Sequence, residues 1–400
     1  VDPSDEDLLR ALAPQVLGTL TRRFGDFDAA EDALQEAMVA AGATWPTRGR
    51  PDNPRAWLIQ VAQRRMTDAV RAEVARRRRE TVAFEREAPD AEVSDRDDSL
   101  AMFVLCCHPA LSPASAIALT LRAVGGLDTA AIARAFLLPE STMAQRITRA
   151  KRKLATLERP FARPGGQQWQ LGAVLHVLYL IFTEGHTSTS GPDLRRADLA
   201  AEAIRLTRAV RELRPDDTEV TGLLALMLLT DARHAARTGA HGELIPLIEQ
   251  DRTKWDRTMI TEGVRLVTGT LGHGLNGPYQ IQAAIAALHA RAPRAEDTDW
   301  SRILALYTMI ERRTPNPMVT LNRAVALAMV HGPAAGLALT AELADQLAGT
   351  HRLPAVRGHL HEMAGDYRAA ISDYLAAAGR TTSIAERDYL MIRAAQLRSR

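Results

Sequence analysis

Apolar residues recur at three- and four-residue steps along nearly the whole chain, a period that predicts helix after helix. Leu8, Leu9, Leu12, Val16, Leu17, Leu20 and Phe24 make the first apolar stripe. Asp26-Phe27-Asp28 separates it from a second helix over about 29–43, with Asp28 as the expected N-cap. The stretch from Trp45 to Pro54 holds Pro46, Gly49, Pro51 and Pro54 and reads as a loop. Pro54 is a good first-turn residue, and a third helix runs from it through an arginine-rich stretch. The segment from Glu85 to Ser99 is charged and weakly periodic, which reads as a linker. A second helical unit spans about 100–160.

Beyond residue 167 the periodicity continues, punctuated at Gly191-Pro192, Pro215-Asp216, Gly239 to Gly242, Gly274 to Pro278, Pro293, Pro315 to Pro317, Gly332-Pro333, Pro354, Gly365-Asp366 and Gly379. Alternate breaks cluster near the roughly 34 residues of a helical-hairpin repeat. Leu360 to Ala378 fits best, with Gly365-Asp366-Tyr367 between two helices and small and aromatic residues placed as in a tetratricopeptide hairpin. The expected fold is all-α: two small helical domains, the second a helix-turn-helix, then a tetratricopeptide-like helical repeat. Expected boundaries are 1–80, an acidic linker 81–100, 101–163, and 167–400.

Composition agrees. Of 400 residues 46% are hydrophobic but only 4% aromatic, which favours helix over sheet. No apolar run approaches the roughly 20 residues of a membrane span. The acidic start, Asp2-Pro3-Ser4-Asp5-Glu6-Asp7, lacks the basic-then-apolar order of a signal peptide, so a cytoplasmic protein with no membrane partner is expected. The net charge of +2 conceals domain-scale alternation. Arg64, Arg65, Arg71 and Arg76 to Arg79 form a basic block, Glu85 to Asp98 an acidic one, and Arg146 to Arg163 a second basic one. Two polyanion-binding patches joined by a solvated linker would give this pattern. Cys106-Cys107-His108 has no second cluster to complete a metal site, and neighbouring cysteines make a strained disulfide, so buried thiols on a helix are expected and no metal or cofactor.

Leu127 to Leu157 carries the most specific chemistry. Asp128 caps a short helix through Phe136, Leu137 to Ser141 is a turn, and Thr142 to Leu154 is a second helix, which is helix-turn-helix spacing. Met143, Ile147, Ala150 and Leu154 share one face of that second helix and should pack on Ile132 and Phe136. Ser141, Thr142, Gln145, Thr148, Arg149 and Arg152 lie on the other side, with Arg146 beside them. Gln pairs with adenine and Arg with guanine in a major groove, while Ser and Thr serve bases or phosphates. Arg146, Lys151 and Lys153 are expected to neutralise phosphates. Gly125-Gly126 ends the supporting helix that begins at Pro113.

Together these stretches resemble the extracytoplasmic-function class of the sigma-70 family. Ala30 to Ala37 (Ala-Glu-Asp-Ala-Leu-Gln-Glu-Ala) is similar to the region 2 helix that docks on the polymerase clamp. Asn53 to Arg71 is similar to the helix that melts and reads the −10 element, and the helix-turn-helix is similar to region 4, which reads −35. Cys106 to Ser112, Leu178 to Gly185, Gly277 to Ile285 and Glu296 to Trp300 resemble the subgroup with a C-terminal tetratricopeptide-type domain (group 42). The resemblance implies a factor, not an enzyme, that joins core RNA polymerase at its β′ clamp and β flap and reads promoter DNA. It also implies regulation by the helical extension, which would present a concave surface to a protein or peptide partner.

On that basis Asp32, Gln35 and Glu36, at i, i+3 and i+4, form the expected polymerase-docking face. Arg48, Asn53, Gln60, Gln63, Arg64, Asp68 and Arg71 are the −10 candidates, with the loop from Pro46 to Asn53 as the wall of a base pocket. Trp57 is open between a core anchor and a base-stacking role. In the extension His176, Glu184, His186, Asp297, Asp299, His359 and His361 are scattered and read as caps and inter-helix hydrogen bonds, with no nucleophile–base pattern among them. The rival reading is a one-component helix-turn-helix regulator carrying a helical sensor domain, which needs no docking face.

Overall fold

The computed structural model describes residues 3–80, 99–136, 138–157, 167–186, 197–239 and 243–399. The expected linker therefore falls almost wholly outside the described residues, as do Leu137 and Gly191-Pro192. The described residues are helical, with one isolated bridge between Thr238 and Leu244 in place of any strand. The chain divides into two compact units, 1–180 and 181–400.

In the first unit α1 (Pro3–Phe24), α2 (Phe27–Arg48) and α3 (Pro54–Glu80) pack pairwise. Val16, Leu17 and Leu20 of the first stripe are fully buried, as are Ala30 and Ala37 of α2 and Leu58 and Ile59 of α3. Then come α4 (Ser99–Cys106), α5 (Pro113–Ala123), α6 (Thr129–Ala135) and α7 (Glu140–Ala155), centred on Phe103, Leu119, Ile132 and Met143. α1 also packs on α4, and α2 touches α7. α8 (Gln167–His186) follows.

Two local expectations fail here. α2 does not stop near residue 43 but continues through Pro46 to Arg48. A proline removes one backbone donor, yet so close to a C-terminus it disturbs a single turn. Gly49, at φ 83°, then ends the helix by donating to the Trp45 carbonyl. The N-cap of α2 is Asp26, whose carboxylate accepts from the Ala29 amide at 3.0 Å, and not Asp28, which lies in the first turn.

The second unit stacks α9 (Ala197–Leu213), α10 (Thr218–Asp231), α11 (Arg257–Thr270), α12 (Pro278–Arg291), α13 (Trp300–Arg313), α14 (Pro317–His331), α15 (Pro333–Ala341), α16 (Arg352–Met363), α17 (Tyr367–Ala378) and α18 (Ile384–Arg398). Each helix packs on the next, and α10 on α12 and α14 on α16 as well. Helix starts are set by short polar caps: Asp217, Asp256, Asp299, Asn316, Asp366 and Ser383 each accept from an amide of the first turn. Pro354 is not a break; it occupies the first turn of α16, where its missing N–H costs nothing. At Gly358 a Cβ would lie 2.8 Å from the Tyr374 ring, so glycine lets α17 seat that buried tyrosine on α16.

Candidate nucleic-acid interface

α6 and α7 form the helix-turn-helix. Asp128 caps α6 by accepting from the Ala131 amide, and Gly126 at φ 71° turns the chain out of α5. α7 begins at Glu140 after Pro139, two residues earlier than the sequence suggests. Its faces separate cleanly: Met143, Ile147, Ala150 and Leu154 are buried, while Ser141, Thr142, Gln145, Thr148, Arg149 and Arg152 are exposed and Arg146 is half-buried. The exposed set is a polar and cationic strip along α7.

Lys151 departs from expectation. It turns away from that strip, placing Nζ 2.7 Å from Asp28 Oδ1 and in contact with Glu31 Oε2 on α2. Glu31 also accepts from Arg122 Nε of α5 at 2.7 Å. Only 10% of the Glu31 side chain and 14% of the Lys151 side chain is exposed. Burial disfavours the Lys151 ammonium, but Asp28 and Glu31 outweigh it and hold its pKa above the ordinary lysine value. Asp28 and Glu31 thus tie α2 to α5 and α7, and Lys151 is not a free phosphate contact in this packing.

The remaining polar edge of α2 is open. Asp32, Gln35 and Glu36 are all exposed, and Glu36 meets Arg65 of α3 at 3.1 Å. These three residues adjoin Asp28 and Glu31 on the same side of the helix, so one polar face is half covered and half exposed.

On α3, Gln60, Arg64 and Asp68 are exposed at four-residue intervals and Gln63 is half-buried beside them. Arg71 lies on the same helix, but its side chain falls outside the described residues. The loop is shorter than expected, because Pro46 to Arg48 belong to α2. Arg48 is exposed at the helix end. Asn53 caps α3, its Oδ1 accepting from the Ala56 amide at 2.9 Å. Arg50 donates to Asp5 of α1 at 2.9 Å. Trp57 is half-buried, edge-on to the buried Trp45 with centroids 5.8 Å apart, as a core anchor would be.

Cys106 and Cys107 are buried free thiols. Burial, with Cys107 and Glu31 adding, pushes the Cys106 pKa up; burial pushes that of Cys107 up to about 12 against the pull of a Thr120 contact. In the extension Asp299 caps α13, Asp297 pairs with Arg294, and His361 bonds Asp373 at 2.9 Å, which are structural tasks. His176 is exposed, His186 stacks on Phe182, and Glu184 is half-buried. The Glu31 seam escaped the sequence reading. Its signal was the position of Glu31 among the buried Ala30, Ala33 and Leu34 of α2.

Residues 8–76 match the family model for sigma-70 region 2, and residues 104–154 that for sigma-70 region 4. Residues 170–271 match a family of unknown function, DUF6596. An uncharacterized protein of Rhizobium meliloti (strain 1021) is 42% identical over 392 residues, covering 94% of this chain and 92% of the relative. No solved structure matches. Among the described residues, no helix is long and apolar enough to cross a membrane. With region 2 and region 4 in order and a helical domain after them, the chain belongs to the sigma-70 family of transcription-initiation factors, of the extracytoplasmic-function type with a C-terminal extension.

Proposed function

We propose that this sigma factor docks on core RNA polymerase through Asp32, Gln35 and Glu36. It reads the −35 element with Ser141, Thr142, Gln145, Arg146, Thr148, Arg149 and Arg152, and the −10 element with Arg48, Asn53, Gln60, Gln63, Arg64, Asp68 and Arg71. The domains carrying these roles are 1–80 and 101–163, and the extension from 167, of tetratricopeptide-like repeat type, sets when they act. The β′ clamp takes the α2 face and the β flap takes region 4, within the cytoplasm. The observation that carries the reading is the clean division of α7 into a buried apolar face and an exposed Gln-Arg-Ser-Thr face.

The covered half of the α2 face supports a regulated factor. Reading −10 and −35 together requires regions 2 and 4 to reach separate DNA segments, whereas here Arg122 and Lys151 of region 4 bind region 2. Run-off transcription with core polymerase tests this, comparing the full chain with residues 1–163 on the promoter of its own operon. Initiation by the full chain is the expected result, and the truncated form then shows whether the extension inhibits or is required. Failure of both forms to bind polymerase returns the reading to a one-component regulator.

A further inference from the structure

The extension holds a half-open chamber that the promoter chemistry does not use. It has a volume of about 390 Å³, within the size range of small-molecule sites. Its walls come from α12, α13, α14, α16, α17 and α18, with the segment from Leu244 to Arg252 closing one side. Tyr307, Val325, Met329 and Leu390 give it an apolar interior, and Trp300 stands edge-on to His289 at 5.2 Å. A groove built for an extended peptide would offer a track of alternating pockets and backbone partners. Here six helices and one loop segment contribute to the lining instead.

Its charge is one-sided. Among the described residues no aspartate or glutamate lines the chamber, whereas Arg252 does. Arg252 Nη1 donates to the carbonyls of His289 and Ala292, at 2.6 and 2.7 Å, and its guanidinium lies 4.5 Å from the Trp255 ring. These bonds hold the group without neutralising it, since no carboxylate among the described residues pairs with it. Arg233, close enough to repel Arg252, has no side-chain hydrogen bond or ion pair among the described residues either. The neighbouring acids are committed elsewhere: Glu296 and Asp297 to Arg294, Glu362 and Glu249 to Arg393. Glu296 and Asp297 still attract Arg252, yet its pKa stays below the ordinary arginine value because burial dominates. His289 and His359 are held neutral, chiefly by burial, so they add dipoles and no charge. An unneutralised arginine at the wall of an apolar chamber is a site for an anion with an apolar body.

We infer that the extension binds a small amphipathic organic acid, with its carboxylate at Arg252 and its apolar body against Tyr307, Val325 and Leu390. The occupant carries one acidic group, because Arg252 is the one cationic side chain at the wall among the described residues.

Calorimetric titration of the full chain tests the assignment, using 4-phenylbutyrate, hexanoate and indole-3-propionate, each beside its neutral amide. At least one acid is expected to bind ten-fold or more tightly than its amide. Arg252→Gln removes that preference, and Val325→Trp, which fills the chamber, abolishes binding of acid and amide alike. Because Arg252 also holds two carbonyls, Arg233→Gln serves as a second variant: it leaves the wall intact and weakens the acid selectively. Acids that bind no better than their amides, or acid binding that survives Val325→Trp, overturn the assignment. So does a tetrapeptide with a free C-terminal carboxylate that binds more tightly than all three acids, which would give the chamber to a peptide. The titration contains neither polymerase nor DNA, so its failure leaves the promoter-reading assignment standing.

Discussion

Arg122 of region 4 donates from Nε to Glu31 of region 2 at 2.7 Å, and Lys151 reaches the other oxygen of the same carboxylate. A carboxylate largely out of water and shared by two cations is costly to break from one side, because Arg122 then loses its carboxylate and Lys151 keeps only Asp28. Glu31→Gln is expected to destabilise the first unit by about 1–3 kcal/mol. A double-mutant cycle with Arg122→Leu, followed by urea melts, should give a coupling of about 1–2 kcal/mol. Additive effects would mean that the seam is geometry without energy.

On α7, Gln145 and Arg149 are one turn apart on the exposed strip, where each can make a bidentate contact to a base. Gln145→Ala and Arg149→Ala should each lower transcription from −35-dependent promoters by about 5- to 100-fold, the equivalent of one bidentate contact. Polymerase binding, measured in parallel, should not change. Lys151→Ala should affect promoter strength less than Arg149→Ala does, because Lys151 faces Glu31 and Asp28. Unchanged promoter choice in both face variants would remove the recognition assignment.

Asp32→Arg reverses the charge at the centre of the open edge of α2 while leaving every buried position of that helix intact. Polymerase affinity is expected to fall about ten-fold or more, as like charges meet a basic partner. The helical circular dichroism and melting of the variant should match the parent. Normal affinity in a folded Asp32→Arg chain would show that the docking surface lies elsewhere.

The helices and their buried faces were legible in the sequence because a 3.6-residue period is a local property. Met143, Ile147, Ala150 and Leu154 could be placed together without a structure. The Asp128 cap and the glycine stop after α5 were equally local. Pro46 misled, since a proline breaks a helix interior but is tolerated near a C-terminus, and the sequence does not mark where that terminus falls. The partners of Lys151 were invisible for a different reason: Asp28 and Glu31 lie more than a hundred residues away, and a lysine on a basic helix looks the same whether it faces DNA or a carboxylate. The chamber in the extension was illegible likewise, because its wall gathers residues from Leu244 to Leu390.

Buried histidines, His186 and His289 foremost, are expected to make the extension acid-sensitive. Burial lowers the pKa of His186 to about 4, with Arg237 and Arg233 adding to the shift and Asp231 opposing it. Burial likewise lowers His289 to about 4, assisted by Arg233 and Arg252. An unfolded histidine titrates near 6.5. Above that value both states are neutral and nothing is lost. As the pH falls from about 6.5 toward 4, the unfolded chain takes up protons that the folded chain refuses, so stability declines by about 2 kcal/mol per histidine at pH 5. Denaturant melts of the full chain at pH 7.5 and pH 5, followed by circular dichroism, should show that loss. His289→Gln removes one titrating group at the chamber wall, so the variant should lose about 2 kcal/mol less over the same interval. Equal pH dependence in variant and parent would mean that His289 titrates normally in the fold, and that the positive field of Arg233 and Arg252 does not reach it.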